Sequence, residues 1–456
     1  MLKPTDELLI FGIIVILVSS WAIVVPYLRR RNDLMTPTNF FLIGAVFFIG
    51  ISAIDSAITP HMLINAFDFT ALDYRLYMLH VGVFFAAFWL GNQRCRRSVS
   101  SVANRMFMRW PPIRQDVLTF MIFMACLFSL GVVFRPPIIG VAQALHQLAT
   151  KATAIAIVVA FVAWHRDRQN PIWMTSLVGC VFLAILMGIL SGGGRRTILS
   201  SLVALPLAWY WVVGRVRYRP LTVVTWISLA AVTLFFLLGA YSVLRRSDRA
   251  TSRGDRSLEF GWTVLTKIPE RFGEVPWGQM LGQRSVECSL AARRVYIDQP
   301  YDNLFHSIKF IAYSPIPRAL FRDRRDKPEG LGKHLPRDIR ARTRATWGPG
   351  IIGHGYYEGG WPVLLLYGFL AGWFFQLLDV IVQRNSQNPF VLGIVAAISS
   401  NVIGWLRGDI ATFTIQIMAG IMAGLLLAYM GRVLYGSTQY HSLDYDPRQI
   451  GSMARR

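Results

Sequence analysis

The sequence predicts an all-α polytopic membrane protein, with about 11 transmembrane helices and one large external loop of short helices between spans 8 and 9. Three observations predict it. Of 456 residues, 54% are hydrophobic and only 16% are charged, a balance that suits neither a soluble nor a disordered chain. Apolar runs near the ~20 residues that cross a hydrocarbon core recur along the whole chain. Basic clusters follow every second run, as orientation by cytoplasmic Lys and Arg requires.

The expected spans are Glu7–Leu28, Asn39–Ile58, Tyr74–Gly91, Asp116–Phe134, His146–Trp164, Ile172–Leu190, Thr197–Gly214, Leu221–Leu244, Tyr356–Val382, Pro389–Leu406 and Ile410–Leu434. The first lacks the basic start and small-residue cleavage site of a signal peptide, so it counts as a helix. Such long unbroken runs exclude the alternating strands of a membrane barrel. Arg29-Arg30-Arg31, the stretch Arg94 to Arg114, His165-Arg166-Asp167-Arg168 and Arg215/Arg217/Arg219 follow spans one, three, five and seven. They define the cytoplasmic face, which leaves the N-terminus outside and residues 435–456 as a cytoplasmic tail. The organisation is a membrane part over 1–244, an external (periplasmic) loop domain over 245–355, and a second membrane part over 356–434.

The net charge of +22 resides largely in the cytoplasmic loops and the external loop. Anionic lipid near those loops accounts for it, and no aromatic-basic motif points to nucleic acid. Of four cysteines only Cys288 would meet an oxidising compartment, without a partner there, so neither a disulfide framework nor a Cys-based metal site is expected. Asp55, His80, His146, Lys151 and Asp379 are the main intramembrane ionisable residues, fewer than the relay of a proton-driven carrier. There is no Walker loop, dinucleotide fingerprint or HExxH motif, so no cofactor and no metal are expected.

The external loop carries 21 Lys/Arg against 12 Asp/Glu over residues 245–355, too long for a passive connector. Gly282–Ile297 has helical composition, while Ser314-Pro315-Ile316-Pro317-Arg318 reads as an extended elbow. Cations on this side run against the topological bias, and the economical reading is that they hold an anion. Arg195 and Arg196 follow Gly192-Gly193-Gly194, where backbone amides can approach a ligand and guanidiniums can grip phosphate through two parallel bonds. A helix break with arginines reaching external headgroups is the alternative. Arg135, beside Pro136 and Pro137, and Arg407, beside Asp409, are further external arginines that serve equally as interfacial anchors or local ion pairs. Arg284, Arg293, Arg294 and Arg318 are the best candidates within the loop, Arg318 because proline aims it. His354 and Glu358, in Gly353-His354-Gly355-Tyr356-Tyr357-Glu358-Gly359-Gly360, suit a general base, or equally a helix-start cap. Asp68 and Asp73 are alternative bases, Asp73 equally an N-cap.

In order and context these elements resemble the oligosaccharide repeat-unit polymerases (O-antigen polymerase, Wzy-type), a family of GT-C-like membrane glycosyltransferases. The glycine-arginine turn Gly194-Arg195-Arg196-Thr197 precedes Pro315-Ile316-Pro317-Arg318-Ala319-Leu320 and Lys327-Pro328, similar to the family's "IPR…KP" run. A Gly-x-x-Tyr-x-x-x-Gly element, Gly353 to Gly360, opens the next helix. The motif-bearing match covers residues 192–360. Phe321-Arg322-Asp323 replaces the family's aromatic-proline pair, and His354 stands where an acid is common. The resemblance implies transfer of a growing glycan from undecaprenyl pyrophosphate to the terminal sugar of a fresh lipid-linked repeat, on the outer leaflet of a bacterial inner membrane. It implies a leaving group stabilised by Arg195, Arg196 and Arg318, with Lys327 nearby, a base in His354 or Glu358, and a flippase and a chain-length regulator as candidate partners. An O-antigen ligase, with the same chemistry and another acceptor, and a lipid-linked oligosaccharide flippase remain open.

Overall fold

The computed structural model describes residues 3–58, 69–105, 110–133, 139–190, 195–247, 285–298, 300–314 and 348–436. Every regular element among them is a helix: α1 (Pro4–Leu28), α2 (Pro37–Ala45), α3 (Ser52–Ile58), α4 (Ala71–Arg94), α5 (Arg96–Arg105), α6 (Gln115–Val133), α7 (Ile139–Arg166), α8 (Pro171–Leu190), α9 (Arg195–Trp209), α10 (Pro220–Ser247), α11 (Ser285–Asp298), α12 (His306–Tyr313), α13 (Gly350–Arg384), α14 (Pro389–Gly404) and α15 (Ile410–Tyr435). A π-helical turn, Val46–Ile51, joins α2 to α3, and a second, Tyr210–Gly214, extends α9.

Seven helices are long and apolar enough to cross a membrane: Pro4–Leu28, Pro37–Ile58, Ala71–Arg94, Leu148–Arg166, Leu199–Arg217, Gly350–Arg384 and Ile410–Tyr435. The chain thus has the character of a membrane-embedded helical protein. Shorter apolar helices, Gln115–Phe128, Pro171–Leu186, Pro220–Thr233 and Pro389–Gly404, stand at the positions of the other four expected spans.

The helix starts follow from local chemistry. Thr36 caps α2 ahead of Pro37, Asn388 caps α14 ahead of Pro389, and Asp409 caps α15 through the Thr412 N–H. Thr70 and Asp73 form a reciprocal capping box at α4. The N-cap is thus Thr70 and not Asp73, which instead stands three residues on and returns the capping bond; Asp68 lies outside the described residues.

The bundle is organised around α7. Its Ala- and Ile/Val-rich stretch from Ala149 to Ala163 is buried on every side, as a helix without a polar face must be. It packs against α6, α8, α9, α14 and α15. At one end of the bundle the basic loops meet. Asp33 pairs with Arg215 at 2.9 Å and accepts from the Tyr210 hydroxyl at 3.1 Å. The Gln115 amide donates to Asp167 at 3.2 Å, and Arg384 donates to the Ser100 carbonyl. At the other end Arg75 pairs with Glu7 across α4 and α1.

The most extensive helix pair is α4 with α13, and small residues make it. A Cβ added at Gly372 would stand 2.0 Å from the Phe88 carbonyl oxygen, and one at Gly91 would stand 2.2 Å from that of Phe369. Phe41, Phe84, Phe88 and Phe375 fill the space beside this seam. Gly372→Val is expected to destabilise the fold by about 1–3 kcal/mol, read as a lowered thermal midpoint in detergent. Gly82→Ala, whose Cβ meets nothing within 4 Å, is expected to leave it unchanged. Equal midpoints for the two variants would remove the seam from the account.

Candidate functional site

The expected span over Tyr356–Val382 proves more elaborate than a single crossing. Helix α13 starts at Gly350 and loses helical geometry at Gly359 (φ 177°, ψ 26°) and Gly360 (φ 63°, ψ −145°). Gly360 has a left-handed φ that glycine adopts without strain, and Pro362 two residues on fixes the restart. The first segment, Gly350–Glu358, then doubles back on the second. A Cβ on Gly355 would lie 3.0 Å from Leu364 Cα, whereas residues nine apart in an unbroken helix are about 13.5 Å apart. All nine residues of this first segment are buried. Its entry is fixed by backbone bonds from Gly350 N–H to the Gly408 carbonyl and from Ile351 N–H to the Trp405 carbonyl.

Helices α11 and α12 close over the doubled segment. The helix expected within Gly282–Ile297 is α11, and it is buried along most of its length against α13, α4 and α3. The Ser285 hydroxyl donates to the Phe48 carbonyl at 2.5 Å, and the Ser289 hydroxyl donates to the Pro349 carbonyl at 2.7 Å. Helix α12 brings Ser307 inward.

Two polar groupings result. In the first, the Glu358 carboxylate accepts from the Ser307 N–H (3.1 Å), from the Ser307 hydroxyl through a short bond, and from the Tyr367 hydroxyl (2.6 Å). His354 lies one turn earlier, with Nδ1 3.5 Å from both Glu358 Oε1 and Ser307 Oγ. Both His354 and Glu358 are 0% exposed. Nδ1 faces two oxygens, so the geometry assigns it the proton. His354 Nε2 is buried with no hydrogen-bond partner among the described residues. Asn303 donates to the Tyr357 hydroxyl at 3.0 Å and holds the turn before α12 against the same segment.

In the second grouping, Arg293 on α11 pairs with Asp73 on α4; both are buried. His80, one helix face along α4, stacks on Tyr356 with ring centroids 4.1 Å apart and meets the Trp361 ring edge-on at 4.4 Å. Tyr296 touches Tyr356 at 5.0 Å and Tyr301 at 5.7 Å. Burial, and then the hydrogen bond shared with Tyr301, push the Tyr296 phenol up to about 12. His80 Nε2 and Arg293 Nε are buried without partners among the described residues.

The structure therefore brings His354, Glu358 and Arg293 to one region around the start of α13. Arg294, next to Arg293, points outward and is exposed. Arg407 lies over the Phe48 ring at 5.6 Å, beside the turn that receives Gly350. Arg195 and Arg196 open α9, and their side chains lie outside the described part. Arg135, Arg284, Arg318 and Lys327 lie outside the described residues. Among the described residues no group of three or more His, Cys, Asp or Glu could hold a metal ion. Sequence reasoning missed Ser307 and Tyr367. Tyr367 follows Glu358 by nine positions, and only the Gly359-Gly360 break followed by Pro362 could have signalled that they meet.

No family model, curated protein or solved structure matches this chain.

Removing one member of a buried ion pair leaves the other charge uncompensated, at a cost of about 3–5 kcal/mol. Arg293→Met and Asp73→Asn are each expected to lower the thermal midpoint in detergent. The double variant should fall well short of the sum of the two losses. Additive losses would mean that the two side chains do not act as a pair.

Proposed function

We propose that the chain is an oligosaccharide repeat-unit polymerase of the bacterial inner membrane, with eleven crossings and a periplasmic loop between spans 8 and 9. Its substrates are undecaprenyl-pyrophosphate-linked oligosaccharides of a surface polysaccharide. The observation that carries this reading is His354 Nε2, buried with no hydrogen-bond partner among the described residues. It sits in a water-excluded setting on a doubled-back helix, with the Glu358 carboxylate and the Ser307 hydroxyl each 3.5 Å from Nδ1.

Such an imidazole can take the proton from an acceptor sugar hydroxyl as its oxygen bonds to the anomeric carbon of the donor. The bond from that carbon to the pyrophosphate oxygen breaks, and undecaprenyl pyrophosphate departs with the electron pair. The proton ends on His354 Nε2, where the Glu358 carboxylate stabilises the imidazolium. Arg195, Arg196 and Arg318 take the charge that grows on the leaving group, with Arg135, Arg284, Arg294, Lys327 and Arg407 as further basic groups on the same side. The donor carries its own leaving group, so the reaction draws on no nucleotide and no redox cofactor.

Deletion of the gene is expected to leave single repeats on the outer leaflet. Complementation with His354→Ala should restore protein abundance but lower polymerisation by about 10²–10⁴-fold, and Glu358→Gln should fall between. These outcomes are read as polysaccharide chain length on gels. Ordinary chain length with His354→Ala would remove the histidine from the reaction. Long polymer left on its carrier lipid in the deletion strain would make the protein a ligase, and repeats trapped inside would make it a flippase.

A further inference from the structure

Helix α12 is held to the bundle more by polar bonds than by packing. Over residues 300–314 only Ser307 is buried. Phe310, Ile311 and Ser314 share its face of the helix and are half-buried, while Ile308, Lys309, Ala312 and Tyr313 on the other face are exposed. By contrast, ten of the fourteen residues of α11 are buried. The one buried residue of α12 is a serine, and both its donors, the N–H at 3.1 Å and the hydroxyl, end on Glu358. The tie at the preceding turn is polar as well, from the Asn303 amide to the Tyr357 hydroxyl, and Phe305 adds a half-buried ring against the core.

The start of α12 depends on the same carboxylate. Its N-cap residue, Phe305, has a left-handed φ of 53° and makes no side-chain cap bond. Tyr301, in the turn before it, has a left-handed φ of 67°. Bulky side chains rarely adopt this backbone state, so their surroundings must impose it. The first N–H groups of a helix need acceptors from outside it, and the one on Ser307 finds Glu358. A residue of α13 thus serves as the cap of α12, with its negative charge at the favourable end of the dipole. A helix with little buried apolar surface, no cap from its own chain and a strained entry belongs to the low-stability end of a fold.

What α12 covers is the His354–Glu358 pair, both members of which are 0% exposed. Ser307 Oγ lies 3.5 Å from His354 Nδ1, and the outer face of α12 is exposed. The pair is therefore one helix thickness, about 10 Å, from the surface on this side. We infer that α12 is a lid over the His354–Glu358 pair, latched through Ser307 to Glu358. When it lifts, Glu358 loses two of its three donors and the imidazole loses its cover on the Nδ1 side. When it closes, both Ser307 bonds return and the pair is again shielded from water. The inference goes beyond the polymerase reading, because it concerns access to the pair whatever molecule meets it there.

The test uses the full-length protein in lipid nanodiscs and two readouts that need no glycan. One is amide hydrogen exchange along α12; the other is acylation of His354 by diethyl pyrocarbonate, both read on peptides by mass spectrometry. Amides of residues 309–314 are expected to exchange faster than those of α11 and of residues 350–358. Ser307→Ala removes the hydroxyl half of the latch and should raise α12 exchange and His354 acylation by one common factor, about tenfold. His80, buried on α4, should keep its native acylation rate in that variant. In the native chain the two rates should also rise in step as temperature is raised, a comparison that stands if Ser307→Ala fails to fold. Exchange in α12 as slow as in α11, or His354 acylation that moves independently of it, would overturn the lid. Acylation of His80 that rises together with His354 in Ser307→Ala would mean that the whole bundle loosens, and would overturn the latch. The two readings fail separately. Normal polymer in His354→Ala cells, with exchange and acylation coupled, removes the transfer chemistry alone. Loss of polymer in those cells, with the two rates uncoupled, removes the lid alone.

Discussion

Lipid offers no hydrogen bonds, so a chain that stops being helical inside a membrane bundle must find its partners in protein. The break at Gly359 and Gly360 imposes that demand here. Glu358 ends the first segment of α13, at the negative end of its dipole, where a carboxylate is disfavoured. Three donors offset this: the Ser307 N–H, the Ser307 hydroxyl and the Tyr367 hydroxyl. Tyr367 can supply one because the segment doubles back, and Ser307 can supply two because α12 lies against it. The turn that delivers α12 carries two left-handed residues, Tyr301 and Phe305, and is tied to the doubled segment by Asn303. Helix α11, which precedes the turn, is buried against α13. One broken helix thus accounts for the position of two others.

Composition and hydropathy carried the helical, membrane-embedded character, because long apolar runs have no other economical home. The caps at Thr36, Thr70 and Asp409 emerge from the structure; the sequence pointed only to Asp73 at the start of α4, where N-cap chemistry is local. The glycine-rich stretch around His354 stood out as unusual, yet its geometry did not. Glycines permit a turn without choosing its direction, and the direction came from Ser289, Ser307 and Tyr367, which sit far from each other in the chain. Arg293 shows the same limit. Its place in a basic loop suggested a free cation for an anion, while the fold supplies Asp73 from α4, a residue that the sequence offered as a cap or a base but not as a partner for Arg293.

The charges divide into two kinds. Arg215 with Asp33 ties the turn after α1 to the end of the segment that α9 opens, and Arg293 with Asp73 bridges α11 and α4, in places where at least one partner is buried. Such pairs fix register more than they add stability, because desolvation offsets most of the attraction. Arg75 with Glu7 is more exposed and joins α4 to α1 at the rim, where a pair is worth about 0–1 kcal/mol. The buried pairs therefore mark the helices whose relative positions matter most: α4 against α11 at one end, and the turn after α1 against the end of α9 at the other.

Between the two candidate bases, hydrogen-bond capacity decides. A carboxylate has about four acceptor sites, and Glu358 meets three donors together with the facing Nδ1 of His354. Drawing a further proton from a substrate would require one of those donors to leave, at a cost of about 1–3 kcal/mol for each group left buried and unsatisfied. His354 faces no such penalty, because its Nε2 meets no donor among the described residues. The acid can serve the ring by holding it, and the ring alone has a site to offer. In a pair built this way, replacing Glu358 by Gln keeps the shape but removes the negative charge that stabilises the imidazolium, so its effect on transfer falls below that of losing the imidazole itself.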